Sequence, residues 1–385
     1  MSRGCDVAVV GAGIVGCATA YELARRGLSV TLLDRAGVSE GTTGLGEGNV
    51  LCSDKDAGPE LDLAVAGVAL FGELEALFGE AARIRRKGAL VVHPDAATWA
   101  AEPARAERLR AAGVDARVIG PEDVRALEPR LTGEIHGALY VPTDLQCDPR
   151  AIAAALATLA AEHGADVRTG AEVTAIEPGR GVRVTRPGAD GGELLPARAV
   201  VLAAGPWSAP LAASAGLHLP LEPRKGQLTR LRLPRPDAGF LRRKVVDGSY
   251  LSTVVAPTAD RQVSTVVETT WDGHVLAGST RERCGFDPTI DDALAAEVQQ
   301  RAARLVPEVA GLPRDASWVG FRPWLPDHLP AIGPSRIADG LWVATGHEGA
   351  GVALGPITGR LIAQALTGDR PSLDLSPFDP DRFAT

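Results

Sequence analysis

The chain of 385 residues lacks several features that would place it in a specialised class of protein. No apolar run reaches the roughly 18 residues needed to cross a bilayer, so no membrane span is predicted. The residues before the first predicted strand lack the apolar core and the cleavage site of a secretory signal, and we therefore expect a cytoplasmic protein. The net charge of -8 comes without a basic stripe, which argues against nucleic acid as a main partner.

Cysteine and histidine are scarce and scattered. The five cysteines include no CxxC pair and the seven histidines form no HxxxH pattern, so neither a disulfide framework nor a metal site is predicted. Aromatic residues make up only 4% of the chain, whereas 45% of the residues are hydrophobic and 23% are charged. At this length, such a composition is typical of a globular protein with two domains.

The most informative segment is a glycine-rich motif close to the start of the chain. The β-branched and apolar residues 7–10 predict a buried parallel strand, and three glycines follow in GxGxxG spacing. Gly11 allows the turn, Gly13 lets backbone N–H groups approach a pyrophosphate, and Gly16 lets the following helix pack closely on the strand. Asp34, which ends a second predicted strand, is placed to accept hydrogen bonds from an adenosine ribose. The segment predicts a dinucleotide-binding βαβ unit.

Two more glycine-rich segments lie where a cofactor would meet the sheet. The loop 41–49 allows the backbone to approach a ligand closely. Residues 346–352 lead from a predicted strand at 341–345 into a terminal helix that ends near residue 366. A nicotinamide enzyme needs no second turn of this kind, whereas a flavin gains from one, because its N1–C2=O edge becomes anionic on reduction and a helix N-terminus stabilises that charge. An ordinary glycine-rich helix start is the alternative.

The remaining pattern divides the chain between two domains. Helices are predicted at 60–78, 96–112, 149–163 and 291–305, and strands at 90–92, 200–202, 227–233, 250–255, 263–270 and 274–279. Hairpin signals such as Asp272-Gly273 separate the later strands and predict an antiparallel sheet. We therefore expect an α/β protein with a discontinuous Rossmann-like FAD-binding domain and an inserted antiparallel β-rich substrate-binding domain that carries helices. The first domain is expected at 1–85, 145–222 and 315–385, and the second at 86–144 and 223–314.

Five motifs, at residues 9–16, 42–43, 201–208, 320–333 and 344–352, carry a resemblance that covers nearly the whole chain. Together they resemble the FAD-dependent amino-acid and amine oxidoreductases that include glycine oxidase, sarcosine oxidase and D-amino-acid dehydrogenases. The sarcosine-oxidase branch attaches its flavin through a cysteine, but residues 321–329 contain none, so non-covalent FAD is expected. The cofactor contacts that the resemblance implies are Gly11, Gly13, Ile14, Val15, Gly16, Asp34, Arg35, Thr42, Thr43, Gly48, Asn49, Val173, Ala204, Gly205, Trp207, Gly346, His347, Gly349, Gly351 and Val352.

Four residues are candidates for the substrate site. In the resembled family the arginine at the position of Arg322 pairs with the substrate carboxylate, a task that suits the two-bond guanidinium fork, although a structural ion pair is the alternative. Tyr250 could replace the carboxylate-binding tyrosine of glycine oxidases, or it could serve packing alone. Glu268 could face the substrate amine or the solvent. His347 is expected beside the flavin rather than as a proton carrier.

The resemblance implies oxidation of a small amino or imino acid, with hydride transfer from Cα to flavin N5 and formation of an imine or a 2-oxo acid. The loop 46–50 and the segment 278–282 look most like members that act on hydroxyproline, proline or opine-type substrates, and D-amino acids are also expected. Two alternatives stay open: a flavoprotein that oxidises 2-hydroxy acids, and a flavin subunit that passes electrons to a partner chain.

A dehydrogenase is favoured over an oxidase. The predicted strands 250–255 and 263–270 contain no lysine that could promote the reaction with oxygen. A dye or a redox partner subunit is therefore the expected acceptor.

Overall fold

The computed structural model describes residues 4–131, 133–186, 192–249 and 261–384. Its helices are α1 Ile14–Ala24, α2 Pro59–Phe78, α3 Ala96–Ala111, α4 Pro121–Leu127, α5 Pro149–Glu162, α6 Ser208–Ser214, α7 Asp292–Leu305 and α8 Gly351–Leu366. The strands up to residue 202 are β1 Cys5–Val10, β2 Val30–Asp34, β3 Asn49–Val50, β4 Ala89–His93, β5 Arg117–Ile119, β6 Gly137–Val141, β7 Leu145–Gln146, β8 Asp166–Thr169, β9 Glu172–Glu177, β10 Gly181–Thr185 and β11 Glu193–Leu202. The later strands are β12 Glu222–Leu231, β13 Lys244–Asp247, β14 Arg261–Thr269, β15 Val275–Glu282, β16 Arg314–Trp324, β17 Ala331–Pro334 and β18 Leu341–Thr345.

The first sheet has the order β17-β18-β11-β1-β2-β8, and β10 extends it by pairing with β11 and β9. The strand β1 lies at its centre in parallel register, with Val9 opposite Leu32 on one side and Val201 on the other. All three side chains are fully buried, because helices cover the sheet. The predicted βαβ unit is therefore present, and its glycine turn lies at the carboxyl edge of the sheet.

Helices α1 and α8 lie side by side on this sheet. An ideal Cβ on Gly359 of α8 would lie 2.6 Å from the backbone nitrogen of Thr19 in α1, so the two helices approach more closely than any side chain at 359 would allow. Their close packing brings both helix N-termini to the same edge of the sheet, where β1 and β18 end.

The second sheet has the order β16-β12-β15-β14-β13-β4-β6-β5. Its pairs are antiparallel except for β4 and β13, which run parallel. Strand β16 pairs with β12 along almost its whole length. The predicted boundary at 315 assigned residues 315–324 to the cofactor-binding domain, whereas these residues pair with a strand of the second sheet; the domain bounds stay a prediction. Hydrogen bonding to β12, a strand distant in the chain, decides that β16 belongs to the second sheet. A local sequence pattern does not predict this pairing.

The α/β class and a second, mainly antiparallel sheet are confirmed. The predicted hairpin at Asp272-Gly273 joins β14 to β15, and Gly273 has a φ of 79°. The predicted strand 250–255 lies outside the described residues. Within the described ranges, no helix combines the length and the apolar character needed to span a membrane.

Candidate active site

A cavity of about 750 Å³ lies between the two sheets. The carboxyl ends of β1, β2, β11 and β18 form one wall, and β12, β15 and β16 contribute Gly226, Ser279 and Arg322 to the other. The volume is within the range of cofactor and substrate sites, and the carboxyl edge of a parallel sheet is the usual place for them.

The glycine turn after β1 forms the nucleotide end of this cavity. Gly11 has a φ of 104°, a conformation that side chains disfavour, and an ideal Cβ on Gly16 would lie 1.8 Å from the carbonyl oxygen of Gly11. The backbone N–H groups of Ala12 and Ala36 each donate to a different oxygen of Asp34, both at 2.8 Å. These bonds hold the Asp34 carboxylate in the cavity wall, where a ribose hydroxyl would reach it.

The N-termini of α1 and α8 both open into the cavity. Gly13 and Ile14 line it at the start of α1, and Gly351 and Val352 line it at the start of α8. The N-cap residues Gly13 and Ala350 make no capping bond with their own side chains, and the Ile14 N–H of α1 donates to the Thr43 hydroxyl. Free N–H groups at helix N-termini attract anions. The first terminus therefore suits a pyrophosphate, and the second suits the anionic edge of a reduced flavin.

Two further features of the cavity fit FAD. The guanidinium of Arg35 lies 4.4 Å above the ring of Trp207, and both residues line the nucleotide end. At Gly13 an ideal Cβ would lie 3.1 Å from the hydroxyl of Thr43, which accepts a hydrogen bond from the Ile14 N–H at 3.0 Å. This end of the cavity, the cofactor cradle, is narrow and formed largely by backbone atoms of the glycine turns. It is open at two helix N-termini, as a bound dinucleotide requires.

Arg322 projects from β16 into the opposite end of the cavity. Its Nη1 donates to the carbonyl of Thr280 at 2.9 Å, and an ideal Cβ on Gly226 would lie 2.1 Å from the same nitrogen. An ideal Cβ on Gly349, in the turn before α8, would lie 3.7 Å from Arg322 Nε. The guanidinium is therefore fixed against a glycine and beside the predicted flavin ring site. Arg322 lines the cavity, and its role in binding the substrate carboxylate stays a prediction.

Hydrogen bonds join the cofactor loop to this strand. The Thr42 hydroxyl donates to the carbonyl of Phe321 at 2.6 Å, and the Trp318 indole donates to the carbonyl of Leu45 at 3.1 Å. Arg322 therefore keeps a fixed position relative to the cofactor cradle, although the two segments lie far apart in the chain.

Glu348 lines the cavity next to His347 and is anionic. Its Oε1 accepts a hydrogen bond from Arg224 at 2.6 Å, and its Oε2 lies 3.3 Å from Nδ1 of His328. Burial acts to raise the pKa of Glu348, but the hydrogen bond with His328 and the charges of Arg281 and Arg224 lower the pKa to about 2. The sequence drew attention to this glutamate only as a neighbour of His347, since its arginine partners come from β12 and β15.

His347 is neutral at physiological pH. Burial lowers its pKa to about 4, and its Nε2 forms a hydrogen bond with the Thr358 hydroxyl at 3.0 Å. An imidazole with so low a pKa is a weak proton acceptor. This geometry supports the prediction that His347 belongs to the wall of the flavin site and carries no proton.

The interpretation of Glu268 as a solvent-facing residue is wrong. Glu268 is 1% exposed, and its carboxylate lies 3.0 Å from Lys87 Nζ and 3.8 Å from Lys244 Nζ. It is also absent from the cavity wall, so it does not face a substrate amine there. The expected alternation of buried and exposed side chains is not found along β14, because other parts of the protein cover this strand on both faces. Tyr250 lies outside the described residues, and its role stays a prediction.

The structure brings most predicted cofactor residues to the cavity. Those that line it are Gly11, Gly13, Ile14, Val15, Asp34, Arg35, Thr42, Thr43, Gly48, Asn49, Val173, Ala204, Gly205, Trp207, His347, Gly349, Gly351 and Val352. Gly16 and Gly346 do not line it. Gly16 allows close packing of α1 on β1, and an ideal Cβ on Gly346 would lie 2.3 Å from Leu325, so both glycines shape the turns instead. The individual FAD contacts stay predictions.

The wall contains five carboxylates that were not predicted as site residues, Glu40, Glu47, Asp54, Glu172 and Glu348, and three of them lie near the substrate end. Glu47 and Asp54 come from the cofactor loop and its continuation, and Glu348 precedes the last glycine turn. The glycine-rich surroundings of Glu47 were the available signal, because such a loop allows close approach of a ligand. Lys244, which binds Glu47, lies on β13, a strand that the pattern did not predict.

This fold and cavity define the class of proteins that bind a dinucleotide cofactor at the carboxyl edge of a parallel sheet. The model of the DAO family, described as FAD dependent oxidoreductase, matches residues 6–365, and the chain belongs to this family. The suspected family and FAD as the cofactor are thereby confirmed. No cysteine lines the cavity among the described residues, which fits a non-covalent flavin.

Several members of the family are similar over the whole chain. Glycine oxidase of Pseudomonas aeruginosa is 32% identical over 383 residues, which cover 97% of this chain and 98% of that protein. The crystal structure of glycine oxidase from Geobacillus kaustophilus covers 100% of both chains with a TM-score of 0.87 and 28% identity. Iminodiacetate oxidase from Chelativorans sp. BNC1 has a TM-score of 0.81 and 27% identity and covers 97% of this chain and 98% of its own.

Proposed function

We propose that this chain oxidises the Cα–N bond of a small amino or imino acid. The observation that carries the proposal is Arg322, a guanidinium fixed in the cavity wall beside the turn that begins α8. A guanidinium fork forms two parallel charge-assisted bonds with a carboxylate and so sets both the affinity and the orientation of the substrate. The names of the relatives, glycine oxidase and iminodiacetate oxidase, describe substrates with this combination of carboxylate and amine.

Bound FAD supplies the electron acceptor for the α-hydrogen and its electron pair. The chain itself positions the substrate, because Arg322 holds the substrate carboxylate beside the cofactor site. The product is an imine, which water hydrolyses to a 2-oxo acid unless it is a stable cyclic imine. An amine that arrives neutral needs no side-chain base, which agrees with the low pKa of His347.

The proposed substrates are D-amino acids, proline-like imino acids and opine-type secondary amines, in preference to 2-hydroxy acids. Oxidation of a hydroxyl requires a base for its proton. Among the described residues of the wall, His347 and Glu348 have pKa values of about 4 and about 2, and both are therefore weak bases.

We further propose a dehydrogenase in which oxygen is a slow acceptor. Strand β14 contains no lysine, and Arg261 at its start is exposed and paired with Glu282 and Asp291. Lys244 on β13 lies closer to the cavity, but the carboxylates of Glu47 and Glu268 offset its charge. Carboxylates therefore offset the positive charges of β13 and β14 that would favour superoxide formation.

The test is anaerobic flavin bleaching by the purified holoenzyme with a panel of D- and L-amino acids, cyclic imino acids, iminodiacetate and 2-hydroxy acids. We expect bleaching by one or more amino or imino acids and none by 2-hydroxy acids. Bleaching by 2-hydroxy acids alone would overturn the proposal. A flavin that dithionite reduces but no panel member bleaches would instead favour an electron-transferring subunit.

A further inference from the structure

Glu47 is a carboxylate of the cavity wall whose two oxygens have different surroundings. Its Oε2 accepts hydrogen bonds from Lys244 Nζ at 2.9 Å and from Asn49 Nδ2 at 2.7 Å. Its Oε1 lies next to Gly278 of β15. An ideal Cβ on Gly278 would be 3.1 Å from this oxygen. Glu47 lines the cavity, the two bonds to Oε2 hold its side chain in the wall, and no hydrogen bond to Oε1 is found among the described residues.

The charge of Glu47 is maintained by groups behind the wall. Lys244 is 2% exposed, does not line the cavity and also lies 3.8 Å from Glu268 of β14. Burial acts to raise the pKa of Glu47, but the charge and hydrogen bond of Lys244, helped by Asn49 and the charge of Arg322 on β16, lower it. Glu47 is therefore a fixed anion, and protonating it is unfavourable.

Glu47 and Arg322 form a pair of opposite charges in one wall. Both line the substrate end, and their electrostatic interaction contributes to the lowered pKa of Glu47. An α-amino acid carries a carboxylate and an amine on the same carbon, so a substrate whose carboxylate binds Arg322 would present its nitrogen within the same small space.

We infer that Glu47 accepts a hydrogen bond from the substrate N–H and stabilises the positive charge that develops on the nitrogen during oxidation, an inference that rests on the proposed function. When the Cα–H electron pair leaves with the hydrogen to the bound flavin, the nitrogen lone pair forms the C=N bond. The substrate loses two electrons and becomes an iminium cation. A fixed anion beside the nitrogen interacts more strongly with this cation than with the neutral amine, and such differential binding accelerates the chemical step.

The low pKa of Glu47 separates this role from that of a general base. A carboxylate that Lys244 keeps ionised is a poor proton acceptor, and a neutral amine has no proton that must leave before the hydride does. Glu47 therefore acts through its charge, and Lys244 and Asn49 are positioning residues for it.

The test compares Glu47→Gln with the native holoenzyme in anaerobic stopped-flow reduction by the panel substrate that binds most tightly. The amide keeps the size of the side chain and an acceptor for Lys244 but removes the charge. We expect FAD to be retained and the limiting rate of flavin reduction to fall about tenfold or more, the effect of losing one bond to a charged group. Binding of acetate, which has a carboxylate and no amine, should be unchanged or tighter, because the anion that repels it is gone.

Glu268→Gln is the matched control, since it removes the other carboxylate beside Lys244 without altering the cavity wall. Its limiting rate should stay within about twofold of the native value, because an interaction not made in the transition state leaves this rate unchanged. An unchanged rate in Glu47→Gln, or equal losses of acetate and substrate binding, would overturn the inference while leaving the proposed function intact. If no amino or imino acid reduces the native flavin, the proposed function itself fails, and the inference fails with it.

Discussion

Replacing Arg322 by lysine changes the shape of the carboxylate site while keeping its charge. In the native protein the guanidinium donates to the Thr280 carbonyl and packs against Gly226, and these contacts fix the plane of the fork. A lysine ammonium has no plane and cannot form two parallel bonds with a carboxylate. Loss of one charge-assisted bond costs about 1.5 to 3 kcal/mol. Since 1.36 kcal/mol corresponds to a factor of ten, the substrate Kd should rise about 10- to 150-fold.

The assay is anaerobic stopped-flow reduction of the bound flavin over a range of substrate concentrations. The Kd should rise, and the limiting rate should fall less than the affinity does. Gly226→Ala tests the position of the guanidinium independently of its charge. The added Cβ would lie 2.1 Å from Arg322 Nη1 and displace the guanidinium without changing any charge. A native Kd in Arg322→Lys would refute the carboxylate role, and native behaviour of Gly226→Ala would show that the observed packing does not position the fork.

Four further predictions concern the binding of FAD, the protonation state of His347 and the electron acceptor. Acid precipitation should release one FAD per chain into the supernatant, whereas yellow protein in the pellet would indicate a covalent bond. Asp34→Asn should retain FAD less tightly by about 1–3 kcal/mol, measured as release during dialysis, because one amide oxygen cannot accept both backbone N–H groups that the carboxylate accepts. His347→Gln should leave the pH dependence of flavin reduction unchanged between pH 6 and 9, because with a pKa of about 4 the native imidazole is neutral throughout this range; a lost ionisation would show that His347 carries a proton. Reoxidation of the substrate-reduced enzyme in air-saturated buffer should be slower than turnover with the best dye, and faster reoxidation would make the enzyme an oxidase.

The cofactor half of the site could be predicted because its signals are local. The turn at Gly11, the acid at Asp34 and the glycine turn before α8 each lie within one strand-turn-helix unit. In such a unit the backbone conformation and the ligand contact are set by neighbouring residues. The spacing of the motif therefore carries enough information to place the nucleotide, and the structure has these residues in the cavity wall.

The substrate half could be predicted only for Arg322, whose surrounding motif resembles that of a known family. The alternation of β14 suggested a half-buried strand for Glu268, yet β13 and β15 flank that strand and Lys87 and Lys244 cover the carboxylate. The charged contacts that define this half join residues far apart in the chain, such as Glu47 with Lys244 and Glu348 with Arg224.

The sequence by itself determined the family, the cofactor and the position of the βαβ unit, since these depend on residue types at short, fixed spacings. Only the tertiary structure decided that Gly226 fixes Arg322, that β16 belongs to the second sheet, and that Lys244 lies behind Glu47. The physical reason is that a buried charge is stable only beside its partners. The partner here comes from another strand, and the pairing of the strands brings the two together.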